Sequence, residues 1–162
     1  MSAARKTVDV TFINPFLEAT MKTLETQAST LAYAGQVYVK PRGEKFSGDI
    51  SGVIGLVSDA FTGSVVISFP AATFLQILSR MIGEECTEIN DMTRDGAGEL
   101  TNIIFGQAKI VLNKAGFGIK TALPSVIAGM DHSVVPMTNG PRVAIPFTTD
   151  VGPFVVEICL SA

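Results

Sequence analysis

Glu99 and Asn102 are the residues whose types and spacing most invite chemistry. They lie three apart in the stretch NDMTRDGAGELTNIIFGQAKIVLN, Asn90–Asn113. On a helix, residues at that spacing are surface neighbours. A carboxylate only accepts hydrogen bonds, so it grips cationic partners. A carboxamide both donates and accepts, so it can orient a water without being a strong base. The solvated outer face of any amphipathic helix offers the same two residue types, and E-x-x-N alone is a weak motif.

The element that must position the pair has a helical period. Leu100, Ile103, Ile104, Ala108, Val111 and Leu112 recur at three and four, which predicts an inward apolar stripe. Asp95, Glu99, Asn102, Gly106 and Asn113 project together on the other side. Gly96, Gly98 and Gly106 cost the helix about 1 kcal/mol each relative to alanine. That expense predicts a smooth face on which another backbone can lie. Asp91, Asp95 and Glu99 share one face at spacing four, but a single helix face supplies too few ligands for a metal of the chain's own.

Asp95-x-x-x-Glu99-x-x-Asn102, followed by Pro124, resembles the signature of the CheC/CheX phosphatases of bacterial chemotaxis. That signature runs Asp or Ser, three residues, Glu, two residues, Asn, and then a Pro about one residue further along than here. Phe12-Ile13-Asn14-Pro15-Phe16-Leu17 is similar to the Asn-Pro-Phe-like helix entry near the start of CheX proteins. The resemblance runs from about Val10 to the C-terminus. Glu18 stands where a second E-x-x-N could begin, but Met21 follows three residues on. CheC-type members carry two such motifs and CheX-type members one, so the chain resembles the CheX type.

The resemblance implies a phosphatase acting on the aspartyl phosphate of a CheY-like response regulator. Such hydrolysis leaves a helper protein positioning and charge management rather than covalent chemistry. By the family motif, Asn102 would orient the attacking water and Glu99 would grip the regulator's lysine. Asp95, Gly98, Gly106 and Pro124 would belong to the partner-binding surface. Mg2+ would sit on the response regulator, leaving this chain with no cofactor of its own. The resemblance also implies a homodimer formed through sheet edges and a duplicated α/β fold with the motif helix exposed. The alternative reading is a non-catalytic dimeric binding module in chemotaxis or flagellar-switch signalling.

The chain's bulk properties agree. Its 162 residues predict one domain over 1–162. That length buries roughly two thirds of the unfolded surface without a disulfide or metal staple. Twelve basic residues against fifteen acidic ones form no basic patch, which argues against nucleic acid. No apolar run approaches the roughly 20 residues of a membrane span, and Met1–Lys6 is not followed by an apolar signal core. A cytoplasmic location is expected. Cys86 and Cys159 are far apart and read as free thiols. His132 is the only histidine and falls in a loop-like stretch, which predicts a surface role. Neither a phosphate-cradling G-x-x-x-x-G-K nor a G-x-G-x-x-G after a strand is present.

In order, Val8–Ile13 reads as a short strand or arm, with Asn14-Pro15 as N-cap and first position of a helix to about Ser29. Leu31–Lys40 reads as a strand. Asp49–Ser58 and Ser64–Phe69 read as a hairpin, with Gly52 and Gly55 marking a bulge or close backbone approach. Pro70 opens a helix that Gly83 stops. After the motif helix come a strand at Phe117–Leu123, an irregular Pro124–Gly140, and a strand pair, Arg142–Thr149 and Pro153–Leu160. Each half thus reads helix, strand, strand pair. The fold class is α/β of the α+β type, an antiparallel-rich sheet with packed helices. Ser64–Phe69 and Pro153–Leu160 are strongly apolar, and either would recruit a second chain if it lay at an open edge.

Overall fold

The computed structural model of the chain describes residues 10–41, 48–59, 61–120, 124–134 and 141–161. Helix α1 (Val10–Ala28) starts earlier than the sequence predicts and runs straight through Asn14-Pro15. Proline in a helix interior removes one backbone hydrogen bond. Burial outweighs that loss, because the first turn carries Phe12 and Ile13 into the core. The Phe12 ring lies 5.5 Å from Phe16, 5.9 Å from Phe61 and 5.2 Å from Phe117, an aromatic cluster available only if the helix begins before the proline.

The predicted strand at Leu31–Lys40 is instead two short pieces, β1 (Tyr33–Ala34) and β2 (Tyr38–Val39), both paired with a later strand. The hairpin appears as expected: β3 (Gly48–Val57) and β4 (Thr62–Phe69) pair antiparallel. Then come α2 (Ala71–Ile82), closed by Gly83 at a φ of 75°, and α3 (Asp91–Lys114). Left-handed φ is where glycine is favoured. The expected strand at Phe117–Leu123 is reduced to a single bridge between Lys120 and Val57, and residues 121–123 lie outside the described ones. The expected irregular stretch from Pro124 is instead strand β5 (Pro124–His132), paired with β3. Strands β6 (Arg142–Thr149) and β7 (Gly152–Ser161) complete the sheet as a second hairpin.

The sheet order is β1-β6-β7-β4-β3-β5, with β2 also on β6, and every pairing is antiparallel. The two hairpins meet through their inner strands β4 and β7. The early strands of each half pair with the outer hairpin strand of the other half. This crossed exchange is the duplication that the helix-strand-hairpin pattern predicts. It also corrects the edge expectation. The apolar strands β4 and β7 are interior, and the sheet ends at β5 and at β1 and β2. Central strands are apolar because they are covered, as Val65, Ile67, Val156 and Ile158 show.

One core joins the buried sides of all three helices to Ile50, Ile54, Ile67, Phe69, Ile145, Phe154 and Ile158 on one face of the sheet. The bulge expected at Gly52 or Gly55 falls elsewhere, between Gly48 and Ile50 opposite β5. There Asp131 takes a φ of 53° and donates its N–H to Asp49 at 2.9 Å. Gly55 faces open space, whereas Gly52 is the predicted close approach.

Candidate functional site

Helix α3 is fixed at both ends before it presents anything. The Asn90 side chain accepts from the Thr93 N–H at 3.0 Å, and the Thr93 hydroxyl accepts from the Asn90 N–H at 2.7 Å, a reciprocal cap. At the far end the Asn113 carboxamide bridges Ile119, accepting from its N–H at 2.7 Å and donating to its carbonyl at 3.1 Å. Asn113, expected among the solvent-facing residues, therefore anchors the segment leaving the helix.

Along its length α3 buries Ala97, Leu100, Thr101, Ile104, Phe105, Ala108 and Leu112. Thr101 lies directly on Gly52 of β3. A Cβ at Gly52 would meet Thr101 Cβ and Cγ2 at 2.9 Å and Oγ1 closer still. The glycine therefore sets how near the helix lies to the sheet. Thr101 Oγ1 donates to the Ala97 carbonyl at 2.7 Å, so its buried hydroxyl is satisfied within the helix.

The residue after Thr101 is Asn102. It and Glu99 are exposed, with Asp95 one turn before and Gly106 one turn after on the same stripe. Neither the Glu99 nor the Asn102 side chain makes a hydrogen bond or ion pair among the described residues. A rigid, capped helix thus holds a carboxylate and a carboxamide outward with their capacity unspent. The helix glycines divide three ways. A Cβ at Gly96 would meet Leu78 Cδ1 of α2 at 2.6 Å, so this glycine serves helix packing. Gly98 turns to β5, where an added Cβ would lie 3.5 Å from Val126 Cγ2. Gly106 faces open space. Pro124 is the first residue of β5 and pairs with Ile54, on the flank that Val126 of the same strand extends toward Gly98.

Two other features depart from expectation. Val111, predicted to face inward, is 47% exposed and stands beside Ile110 at 60%. His132 is no loop residue. It ends β5 half-buried, with Nε2 2.7 Å from Ser51 Oγ and Nδ1 2.7 Å from the Gly129 carbonyl. Ser51 is fully buried and its hydroxyl also meets Ser68 Oγ at 2.7 Å. A serine closed off from solvent in this way links β5, β3 and β4 and offers no nucleophile to a substrate. Sequence spacing gives no sign of this chain of bonds, since Ser51 and His132 are brought together only by the β3–β5 pairing. Among the described residues no cluster of three or more His, Cys, Asp or Glu could hold a metal, and no helix is long and apolar enough to cross a membrane.

Residues 50–148, more than half the chain, match the family described as chemotaxis phosphatase CheX. The CheY-P phosphatase CheX of Thermotoga maritima is 30% identical over 83 residues, covering 51% of this chain and 53% of that protein. The match therefore spans about half the length of that relative. The chemotaxis protein CheX of Vibrio vulnificus superposes with a TM-score of 0.87 at 35% identity, covering 93% of this chain and 99% of that one. The structure of a CheX–CheY–BeF3–Mg2+ complex from Borrelia burgdorferi has the same fold, with a TM-score of 0.79 at 24% identity over 96% of this chain and 100% of that one.

Proposed function

The chain belongs to the CheX chemotaxis phosphatase family, and on that premise we propose that it hydrolyses the aspartyl phosphate of a CheY-like response regulator. The observation that carries the proposal is the outward, unpartnered pair Glu99 and Asn102 on a helix capped at its start and seated on Gly52. Attack of water on an acyl phosphate needs an oriented lone pair and a fixed partner more than it needs a strong base. On this reading the Asn102 carboxamide oxygen accepts from the attacking water and its N–H aligns the water toward phosphorus. Glu99, one turn away, holds the lysine beside the regulator's phosphorylated aspartate through a charge-assisted hydrogen bond. Mg2+ belongs to the regulator and neutralises the phosphoryl oxygens there. Asp95, Gly98, Gly106 and Pro124 border the pair and form the docking surface. The CheX–CheY complex of similar fold supports a receiver protein as the partner.

The test is the decay of a phosphorylated CheY-like receiver with and without this protein. Asn102→Ala is expected to lose about 10²-fold or more of the acceleration while binding is kept, the scale of a mispositioned reactant. Glu99→Ala is expected to lose binding as well. Undiminished acceleration in both variants would refute the assignment. Capture of a receiver without any acceleration by the parent would favour the non-catalytic binding module.

The proposal extends to a homodimer formed through a sheet end. Of the two ends β5 is the longer, nine residues against two in each of β1 and β2. It also presents Ile127 and Met130, the latter 90% exposed. Among the described residues no strand pairs with its outer side, and an edge of that length invites a second strand. A monomer mass in solution scattering at micromolar concentration would exclude this.

A further inference from the structure

A groove of about 290 Å3 runs between α1 and α3, lined by Pro15, Glu18, Ala19 and Lys22 on one wall and Gln107, Ile110 and Val111 on the other. Its place relative to the Glu99–Asn102 pair follows from helix geometry. Eleven residues at about 100° each bring Ile110 to within roughly 20° of Glu99 around α3, while Val111 stands about 120° round from Glu99, on the side of α1. At about 1.5 Å per residue it lies roughly 12 Å along the axis from Asn102. Gly106 occupies the turn between them, and among the described residues no atom lies within 4 Å of its Cβ position. The other large cleft, bordered by Arg94, Leu75 and Met130, lies off the line of Glu99. Arg94 sits roughly 140° from Glu99 around the same helix.

The composition of this stripe is unusual for a solvated helix face. Ile110 and Val111 are 60% and 47% exposed, side by side at a concave site. Single exposed aliphatics are ordinary, but adjacent ones in a groove with a charged rim fit a contact. Glu18 and Lys22 stand four apart on α1 and form no ion pair among the described residues. The groove is large enough to receive an inserted side chain.

We infer that the α1–α3 groove is the second contact point of the same phosphorylated receiver, seating an apolar side chain against Ile110 and Val111 and a charged neighbour against Glu18 or Lys22. This rests on the phosphatase reading above. A protein interface of standard size covers about 800 Å2 per partner, enough for a receiver docked over Glu99 and Asn102 to span the roughly 12 Å along the helix to Ile110. Ile110 and Lys22 are then positioning residues. They hold the receiver in register and touch no reacting atom.

The experiment is steady-state dephosphorylation, with KM read separately from kcat. Ile110→Glu is expected to raise KM about tenfold with kcat within a factor of two, the effect of one well-packed apolar anchor. Glutamate is the better helix former, so folding is kept. Lys22→Glu is expected to shift KM two- to threefold, and less at high salt. Ile82→Glu, the same change at an exposed isoleucine of α2 outside the groove, is expected to behave as the parent. A parent-like KM in Ile110→Glu alongside normal parental activity would overturn the groove assignment alone. An altered oligomeric mass with unchanged KM would overturn it in favour of a second copy of this chain. No parental acceleration of any receiver would overturn the phosphatase reading, and this inference with it.

Discussion

Gly52→Ala should disturb the candidate site without touching it. The added Cβ would lie 2.9 Å from both Thr101 Cβ and Cγ2, and nearer to Oγ1. Ordinary carbon contacts sit at about 3.5–4.0 Å, so α3 must move off β3 by about 1 Å. Rotating Thr101 gives no full relief, because its Cβ, which rotation does not move, is itself 2.9 Å away and its hydroxyl is held by the Ala97 carbonyl. Overpacking of this kind costs about 1–3 kcal/mol. At about 2–4 °C per kcal/mol for a chain of this size, a 2 kcal/mol cost lowers Tm by about 4–8 °C. The residue that moves is followed directly by Asn102, and a displacement of about 1 Å at a positioning group costs up to about 10²-fold in rate. Thermal unfolding and receiver-phosphate decay would be measured for Gly52→Ala, Thr101→Ala and the double variant. Thr101→Ala removes two of the three opposing atoms, so the pair should show a favourable coupling of about 1 kcal/mol. Strictly additive single effects, or a Gly52→Ala protein that melts and acts as the parent, would refute the idea that this glycine sets the height of the helix.

Two further outcomes follow from the same geometry. Asp49 accepts from the N–H of Asp131 and from that of Ala71 at the start of α2, and these bonds hold its carboxyl below the usual 3.8. A depressed value means its stabilisation is present above about pH 4 and is lost as pH falls through the lower folded value. Asp49→Ala should therefore cost about 1 kcal/mol at pH 7, where α2 has no side-chain cap of its own. The gap from the parent should narrow near pH 3 in denaturant unfolding; an unchanged gap would contradict the assignment. Gly96→Ala and Gly106→Ala should move stability in opposite directions. The first forces Leu78 aside and destabilises, while the second adds about 0.5–1 kcal/mol by helix propensity alone; calorimetric Tm shifts of the same sign would be the contrary result.

The parts legible in the sequence are those governed by local rules. Both hairpins, α2 between Pro70 and Gly83, and the outward face of α3 carrying Glu99 and Asn102 follow from period and punctuation. The parts that are not legible depend on what lies opposite. Pro15 reads as a helix start until the burial of Phe12 among Phe16, Phe61 and Phe117 is known. Strand β5 alternates weakly in sequence because it is an end strand, half-buried on one face and exposed on the other, so it reads as irregular. The apolar β4 and β7 fit a sticky edge or a covered centre equally well, and only pairing decides for the centre. Val111 keeps the helical period of the core, yet it lines the open groove between α1 and α3, and the period does not encode where that groove falls.

The duplication offers a reason why the proposed chemistry falls on one helix. Glu18 and Glu99 each stand eight residues past the first residue of their helices, Val10 and Asp91. Three residues on, α3 has exposed Asn102, whereas α1 has half-buried Met21 packed against the core. The α1 position therefore lacks a group that could orient water. Its carboxylate instead lines the groove that faces Ile110 and Val111. On the docking proposed above, the two halves divide the work. One helix keeps the carboxamide beside its glutamate and acts on the phosphate, while the other keeps only the glutamate and helps hold the receiver. Because α1 and α3 pack on each other over the same core, an error in either seat misplaces both contacts together. The helix-height test at Gly52 and the anchor test at Ile110 therefore perturb one surface from two sides, and they separate by which constant moves: kcat for the first, KM for the second.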